Sequence, residues 1–239
     1  MAEHWLRGRV AVVTGASRGI GRATAEAMAG AGAHVILAAR SGALLEEVAA
    51  GIRENGGAAT PAPTDVSRPD EVERLYAIAA RVGPPTALAC AAAVLTNVPF
   101  DRISAQTWNE TLAVNLTGMF WCGQAAFAAM REAGEGRIVN LASLSGVYGV
   151  EKFPGLAAYN VSKYGVIGLT EAIAVEGRQH GISAICLSPG AVDTEMLRRA
   201  NPALRASLKP SDVAELIVAC FDTPMALASG ANIPLYSNL

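Results

Sequence analysis

Charge is scarce in this 239-residue chain: Asp, Glu, Lys and Arg together make up 17% of it, and 19 basic against 21 acidic residues leave a formal net charge of −2. No whole-molecule field draws such a protein to phosphate backbones or anionic lipid, so neither nucleic acid nor a membrane is an expected partner. Long apolar runs are missing too. Nothing approaches the roughly 20 residues a spanning helix needs, and Met1 to Trp5 leads into Arg7 and Arg9 without a secretory core. The cytoplasm is the expected compartment. Cysteine and histidine are sparse: Cys90, Cys122, Cys186 and Cys220 form no Cys-x-x-Cys pair, and His4, His34 and His180 fall in separate segments. The spacing of a zinc site is absent, no metal is expected, and the thiols read as small interior groups. Internal repeats, low-complexity tracts and domain-dividing linkers are also lacking. Apolar residues are plentiful, at 51% of the chain, which excludes disorder and suffices for one large core.

Short β-type runs alternate with helical patterns. Runs at 10–13, 34–37, 86–89, 137–141 and 182–187 are apolar enough to be strands buried on both faces. Helix-length stretches lie between and beyond them, at about 19–30, 41–54, 69–81, 104–133, 156–179 and 211–222. Such alternation predicts an α/β fold, a doubly wound parallel sheet of Rossmann type with helices on both faces. One domain is expected over 6–239, after a short extension at 1–5. Ser67 ahead of Pro69-Asp70-Glu71, and Ser211-Asp212 after Pro210, are the expected helix caps, and Gly83-Pro84-Pro85 ends a helix.

Thr14-Gly15-Ala16-Ser17-Arg18-Gly19-Ile20-Gly21 follows the first strand directly and opens a helix. A dinucleotide pyrophosphate must approach backbone N–H groups at a helix N-terminus, where a Cβ would block it, so the placement of these glycines points to a dinucleotide cofactor. The end of the second strand decides the ribose. An NAD site needs a carboxylate there, but the stretch is Leu37-Ala38-Ala39-Arg40-Ser41. Arg40, with Arg18 from the first turn, suits a 2′-phosphate, so the expected cofactor is NADP(H). Further along, Tyr159-Asn160-Val161-Ser162-Lys163 sets a phenol and an ammonium four residues apart on one helical face. A nearby cation stabilises phenolate, which makes Tyr159 a candidate general acid for a carbonyl oxygen.

Together these motifs resemble the short-chain dehydrogenase/reductase family over almost the whole chain. The resemblance implies roles for further residues. Gly15, Ser17, Arg18, Gly19, Ile20 and Gly21 would form the cofactor turn, with Arg40 beside the ribose. Asp65-Val66 would seat the adenine, and Pro189, Gly190, Val192 and Thr194 would belong to the loop around the nicotinamide carboxamide. Tyr159 and Lys163 would be the proton-transfer pair, both also touching cofactor. Ser143, in Asn140-Leu141-Ala142-Ser143, would hold the substrate oxygen, with Ser145 as its rival. Asn115, in Val114-Asn115-Leu116, would order a water leading to the lysine. The chain departs from the family at Cys90-Ala91-Ala92-Ala93, which replaces Asn-Asn-Ala-Gly and puts Ala92 beside the cofactor. Its ending, Ala231 to Leu239, lacks the Asp-Gly-Gly frequent in ketoacyl-carrier-protein reductases.

The expected activity is reduction of a small or medium carbonyl (ketone, aldehyde, keto-ester or 3-ketoacyl group) by NADPH, reversible as an alcohol dehydrogenase. The alternative is a catalytically weak NADP(H)-sensing protein on the same fold. Val94, Leu95, Val147, Tyr148, Phe153, Val192, Met196 and Leu197 are the expected pocket wall, and Arg198, Arg199 and Arg205 are candidates for attracting an anionic carrier. Trp108, Leu112, Phe120, Trp121, Phe127, Val166 and Leu169 exceed what one sheet face should absorb, so a homotetramer or homodimer is expected.

Overall fold

In the computed structural model, which describes residues 4–236, alternate residues of the first strand feed opposite cores. Val10 and Val12 face one helical layer, and Ala11 and Val13 the other. This two-sided burial requires the continuous apolar runs seen in the sequence. The strands are β1 (Val10–Thr14), β2 (His34–Ala39), β3 (Ala58–Pro63), β4 (Pro85–Cys90), β5 (Gly136–Leu141), β6 (Ile182–Pro189) and β7 (Asn232–Leu235). They form one parallel seven-stranded sheet in the order β3-β2-β1-β4-β5-β6-β7. Parts of the expected extension (1–3) and of the expected domain (237–239) lie outside the described residues.

Helices α1 (Gly19–Gly30), α2 (Gly42–Glu54) and α8 (Pro210–Ala219) cover one face. Met28, Leu45 and Val213 there are wholly buried, each stabilising the fold by about 1.5–3 kcal/mol. On the other face lie α3 (Pro69–Val82), α5 (Gly118–Ala133) and α6 (Ala157–Gly177), led by Leu75, Met130 and Val166. Among the described residues no helix is long and apolar enough to cross a membrane, and no His/Cys/Asp/Glu cluster suits a metal ion.

Several expectations need correction. The 104–133 helix is two: α4 (Ala105–Leu112) and α5, joined by a π-helical turn at Ala113–Thr117. Strands β3 and β7 have no counterpart in the sequence reading, because both are sheet edges carrying proline (Pro61, Pro63, Pro234) and neither has a continuous buried run. Ser67 does not cap α3. Its hydroxyl donates to Asp65 Oδ1 at 2.7 Å, and Arg68 is the N-cap. Helix α8 starts at Pro210 behind Lys209, whose N–H donates to Asp212 Oδ2 at 2.8 Å, and it ends three residues short of expectation, at Ala219 rather than 222. The apolar surplus on α5 and α6 is smaller than the composition suggests, since Val166 is wholly buried and Phe127 and Leu169 pack against the core.

Candidate active site

The chain leaves β1 and β4 in opposite directions, which opens a crevice at their carboxyl ends. A cleft of about 570 Å³ lies there. Its floor begins at Gly15, whose φ of +69° favours glycine and whose absent Cβ would come within 2.8 Å of the Ala92 nitrogen. Thr14 ties the two strand ends together, its Oγ1 accepting from the N–H groups of Ala91 and Ala92, each at 3.2 Å. A Cβ on Gly21 would sit 2.2 Å from the Gly15 carbonyl oxygen. Gly21→Ala is therefore expected to cost about 1–3 kcal/mol of stability in urea unfolding, and an unchanged midpoint would show that the turn relaxes freely.

Helix α1 starts without a side-chain cap and without an acidic residue in its first turn. Its leading N–H groups are thus left for an anion, and the small-residue turn gives that anion access. These features fit a nicotinamide dinucleotide. Ten of the residues expected around the cofactor line the cleft by their own position in the turn and strand ends: Gly15, Ser17, Arg18, Gly19, Ile20, Gly21, Arg40, Asp65, Val66 and Ala92. Lys163 and Thr194 also line it, whereas Tyr159, Ser143, Asn115, Pro189, Gly190 and Val192 do not form its wall.

The two arginines expected at the ribose differ in their partners. Arg40 is exposed and forms no ion pair among the described residues. Arg18 donates to Glu195 Oε2 at 2.7 Å across the mouth of the cleft. Glu195 opens the short helix α7 (Glu195–Ala200) and also pairs with Arg199 at 2.5 Å. Arg198 pairs with Asp193, so two of the three arginines considered for carrier attraction are neutralised within their own segment. Sequence reasoning missed Glu195, which lies 177 residues from Arg18 with no local signal linking them.

Helix α6 brings Tyr159 and Lys163 to the end of β5. A Cβ on Gly146 would lie 2.5 Å from the Lys163 carbonyl oxygen, so glycine is what allows the turn after Ser143 to lie against α6. Lys163 is buried and its Nζ donates to the Leu141 carbonyl at 2.8 Å. Burial lowers its ammonium to about 8. Its Nζ lies 5.6 Å from the centre of the Tyr159 ring. The phenol itself is pushed up to about 12 by burial, and the hydrogen bond with the Ser143 side chain works in the opposite direction. The expected lowering of the phenol by Lys163 is not found: burial raises it, and the Ser143 hydrogen bond is what opposes that rise. Ser143, and not its rival Ser145, meets the phenol, while its Oγ accepts from the Ser145 N–H at 3.1 Å.

Asn115 sits in the π-helical turn and is wholly buried. Its carboxamide accepts from the Val94 N–H at 2.7 Å and donates to the Val94 carbonyl at 2.9 Å and to Ser162 Oγ at 3.1 Å. Ser162 in turn donates to the Tyr159 carbonyl at 2.7 Å. Asn115 therefore ties the wall after β4 to the helix that carries Tyr159. Ser162 was visible in the sequence but given no role there. Of the expected pocket wall, Val94, Leu95 and Met196 line the cleft, whereas the Tyr148 side chain is 92% exposed and Val192 is buried in a bridge to Leu208.

A doubly wound sheet with a glycine cradle at its switch point and a phenol–ammonium pair beside it defines a dinucleotide-dependent oxidoreductase. The profile of the family described as short chain dehydrogenase matches residues 9–205, and the chain belongs to that family. It is 35% identical over 198 residues to the 3-oxoacyl-[acyl-carrier-protein] reductase of Synechocystis sp., covering 82% of this chain and 79% of that one. A 2,5-dichloro-2,5-cyclohexadiene-1,4-diol dehydrogenase of Sphingobium indicum is 37% identical over 198 residues, 82% of this chain and 77% of its own. Among solved structures, an actinorhodin polyketide ketoreductase variant with NADPH superposes with a TM-score of 0.88 at 29% identity, covering 97% of each chain. The protein is accordingly an oxidoreductase acting on CH–OH or keto groups.

Proposed function

We propose that the protein is an NADPH-dependent carbonyl reductase, reversible as an alcohol dehydrogenase, acting on small or medium apolar carbonyl compounds. The observation that carries this reading is the meeting of Ser143, Tyr159 and Lys163 beside a cleft whose far end bears Arg18 and Arg40. The cofactor, when bound, supplies or accepts the hydride. Tyr159 donates its phenolic proton to the substrate oxygen, and Ser143 orients that oxygen by a hydrogen bond. Lys163 offsets the charge of the phenolate left behind and holds ribose hydroxyls. Asn115 stations the helix and connects it to a water path that returns the proton. Val94, Leu95, Val114 and Met196 make the lining apolar, which supports a hydrocarbon-rich substrate. Phe120 and Tyr164, about two-fifths exposed on α5 and α6, support association of copies as a homotetramer or homodimer, and the charge balance supports a cytoplasmic protein without nucleic-acid partners.

The reading is tested by following NADPH oxidation against ketones, aldehydes, quinones and ketoacyl thioesters. Turnover of at least one class is expected, and binding of NADPH with no turnover of any would favour the sensing alternative. Cofactor choice is tested separately. NADPH should bind more tightly than NADH in fluorescence titration, because Arg40, exposed and without an ion pair among the described residues, is available to a 2′-phosphate and Ala39 offers no carboxylate to a 2′-hydroxyl. Arg40→Asp should erase or reverse the preference, and equal affinities in the unaltered protein would show that both arginines are solvated surface charges.

A further inference from the structure

The guanidinium that a 2′-phosphate needs from the first turn is already engaged. Arg18 is the N-cap residue of α1, and its Nη1 meets Glu195 Oε2 at 2.7 Å. The contact is natural to the fold: the γ-methyl of Thr194 lies 3.5 Å from where a Cβ on Gly19 would be, so the glycine turn and the start of α7 touch. Glu195, Arg18, Arg199 and Arg40 all line the same cleft. Helix α7 buries none of its six residues, and its far end is held by Asn97 Nδ2 donating to the Ala200 carbonyl at 3.4 Å.

Both partners of the Arg18–Glu195 pair are about half exposed, at 56% and 44%, so the pair is solvated and easily exchanged. A phosphate group carries more charge than a carboxylate and offers oxygens for a two-pronged contact with guanidinium, which makes it the stronger competitor. Glu195 is not stranded when it loses Arg18, because Arg199 stays beside it at 2.5 Å, one helical turn on. A cofactor with a bare 2′-hydroxyl brings no charge to this exchange.

We propose that Glu195 is a specificity-determining residue for the cofactor, its carboxylate competing with the 2′-phosphate for Arg18 and so narrowing the preference for NADPH over NADH. The inference rests on the NADP(H) reading above. Its measure is the ratio of the two affinities, since repulsion between Glu195 and the pyrophosphate common to both cofactors cancels in that ratio.

The test is a fluorescence titration of NADPH and NADH on the unaltered protein, Glu195→Gln, Arg18→Ala and the double variant. Glu195→Gln should raise the NADPH-to-NADH affinity ratio by about 1.5- to 5-fold, the range expected when a solvated ion pair is relieved. In the Arg18→Ala background the same substitution should leave the ratio unchanged. A ratio that does not rise in Glu195→Gln, or that rises equally without Arg18, overturns the competition while the NADP(H) reading stands. An unaltered protein that binds both cofactors alike, with a ratio indifferent to Arg18→Ala, overturns that reading and the competition with it.

Discussion

Tyr159→Phe is expected to slow reduction of the best carbonyl substrate by roughly 10²-fold or more, the usual scale for a positioned acid. The substitution removes one oxygen and keeps the ring against α6 and the β5 end. NADPH affinity, measured by the same titration, should therefore stay within a factor of about two, as expected when only a proton donor is removed. Burial holds the phenol at about 12, so it remains protonated across the neutral range and ready to donate. Ser143 then decides how well the phenolate is tolerated, because its hydrogen bond is what opposes desolvation. Undiminished turnover in Tyr159→Phe would remove the phenol from the mechanism.

Lys163→Met should abolish most activity and yet stabilise the fold. A buried ammonium held near 8, against 10.5 in an exposed lysine, destabilises the native state by about 3 kcal/mol when charged. Below pH 8 the group is protonated in both native and unfolded chains, and this cost is fully present. Between about 8 and 10.5 the native chain releases the proton while the unfolded chain keeps it, so stability rises with pH. Methionine removes the charge but leaves the Leu141 carbonyl without its partner, which costs about 1–3 kcal/mol. The expected net gain is about 0–2 kcal/mol at pH 7 in urea unfolding without added cofactor. The variant should also lose the Lys163 contribution to the rise toward pH 10. A variant that is less stable at pH 7 and keeps the full slope would show that the ammonium is well solvated where it stands.

The central strands were legible because each is buried on both faces, which writes a continuous apolar run into Val10–Val13 or Ile182–Leu187. The edge strands were not, since one flank of β3 and of β7 meets solvent or loops and tolerates proline. The break at Ala113–Thr117 carries neither proline nor glycine within it. It arises from tertiary demands, the Asn115 carboxamide reaching the Val94 backbone, and these have no local signature. The glycine turn and the Tyr159–Lys163 spacing were legible because their geometry is local. Ser143 is preferred over Ser145 through the family resemblance, since Asn140 and Gly146 flank it, whereas the hydrogen bond that lets its side chain lower the phenol depends on β5 and α6 lying side by side. The pKa values were not legible at all, since desolvation depends on everything packed around a group rather than on its neighbour four residues away.

The Thr14 bridge to Ala91 and Ala92 also bears on how the molecule is assembled during synthesis. It joins positions 77 and 78 residues apart, and β1 has only β2 for a partner until β4 arrives on its other edge. A nascent chain that has completed β1, α1 and β2 already holds the glycine turn but lacks the wall opposite. The pyrophosphate cradle can therefore exist in part before there is any place for a nicotinamide ring, and closing the gap means paying the loop-closure entropy of the long intervening segment.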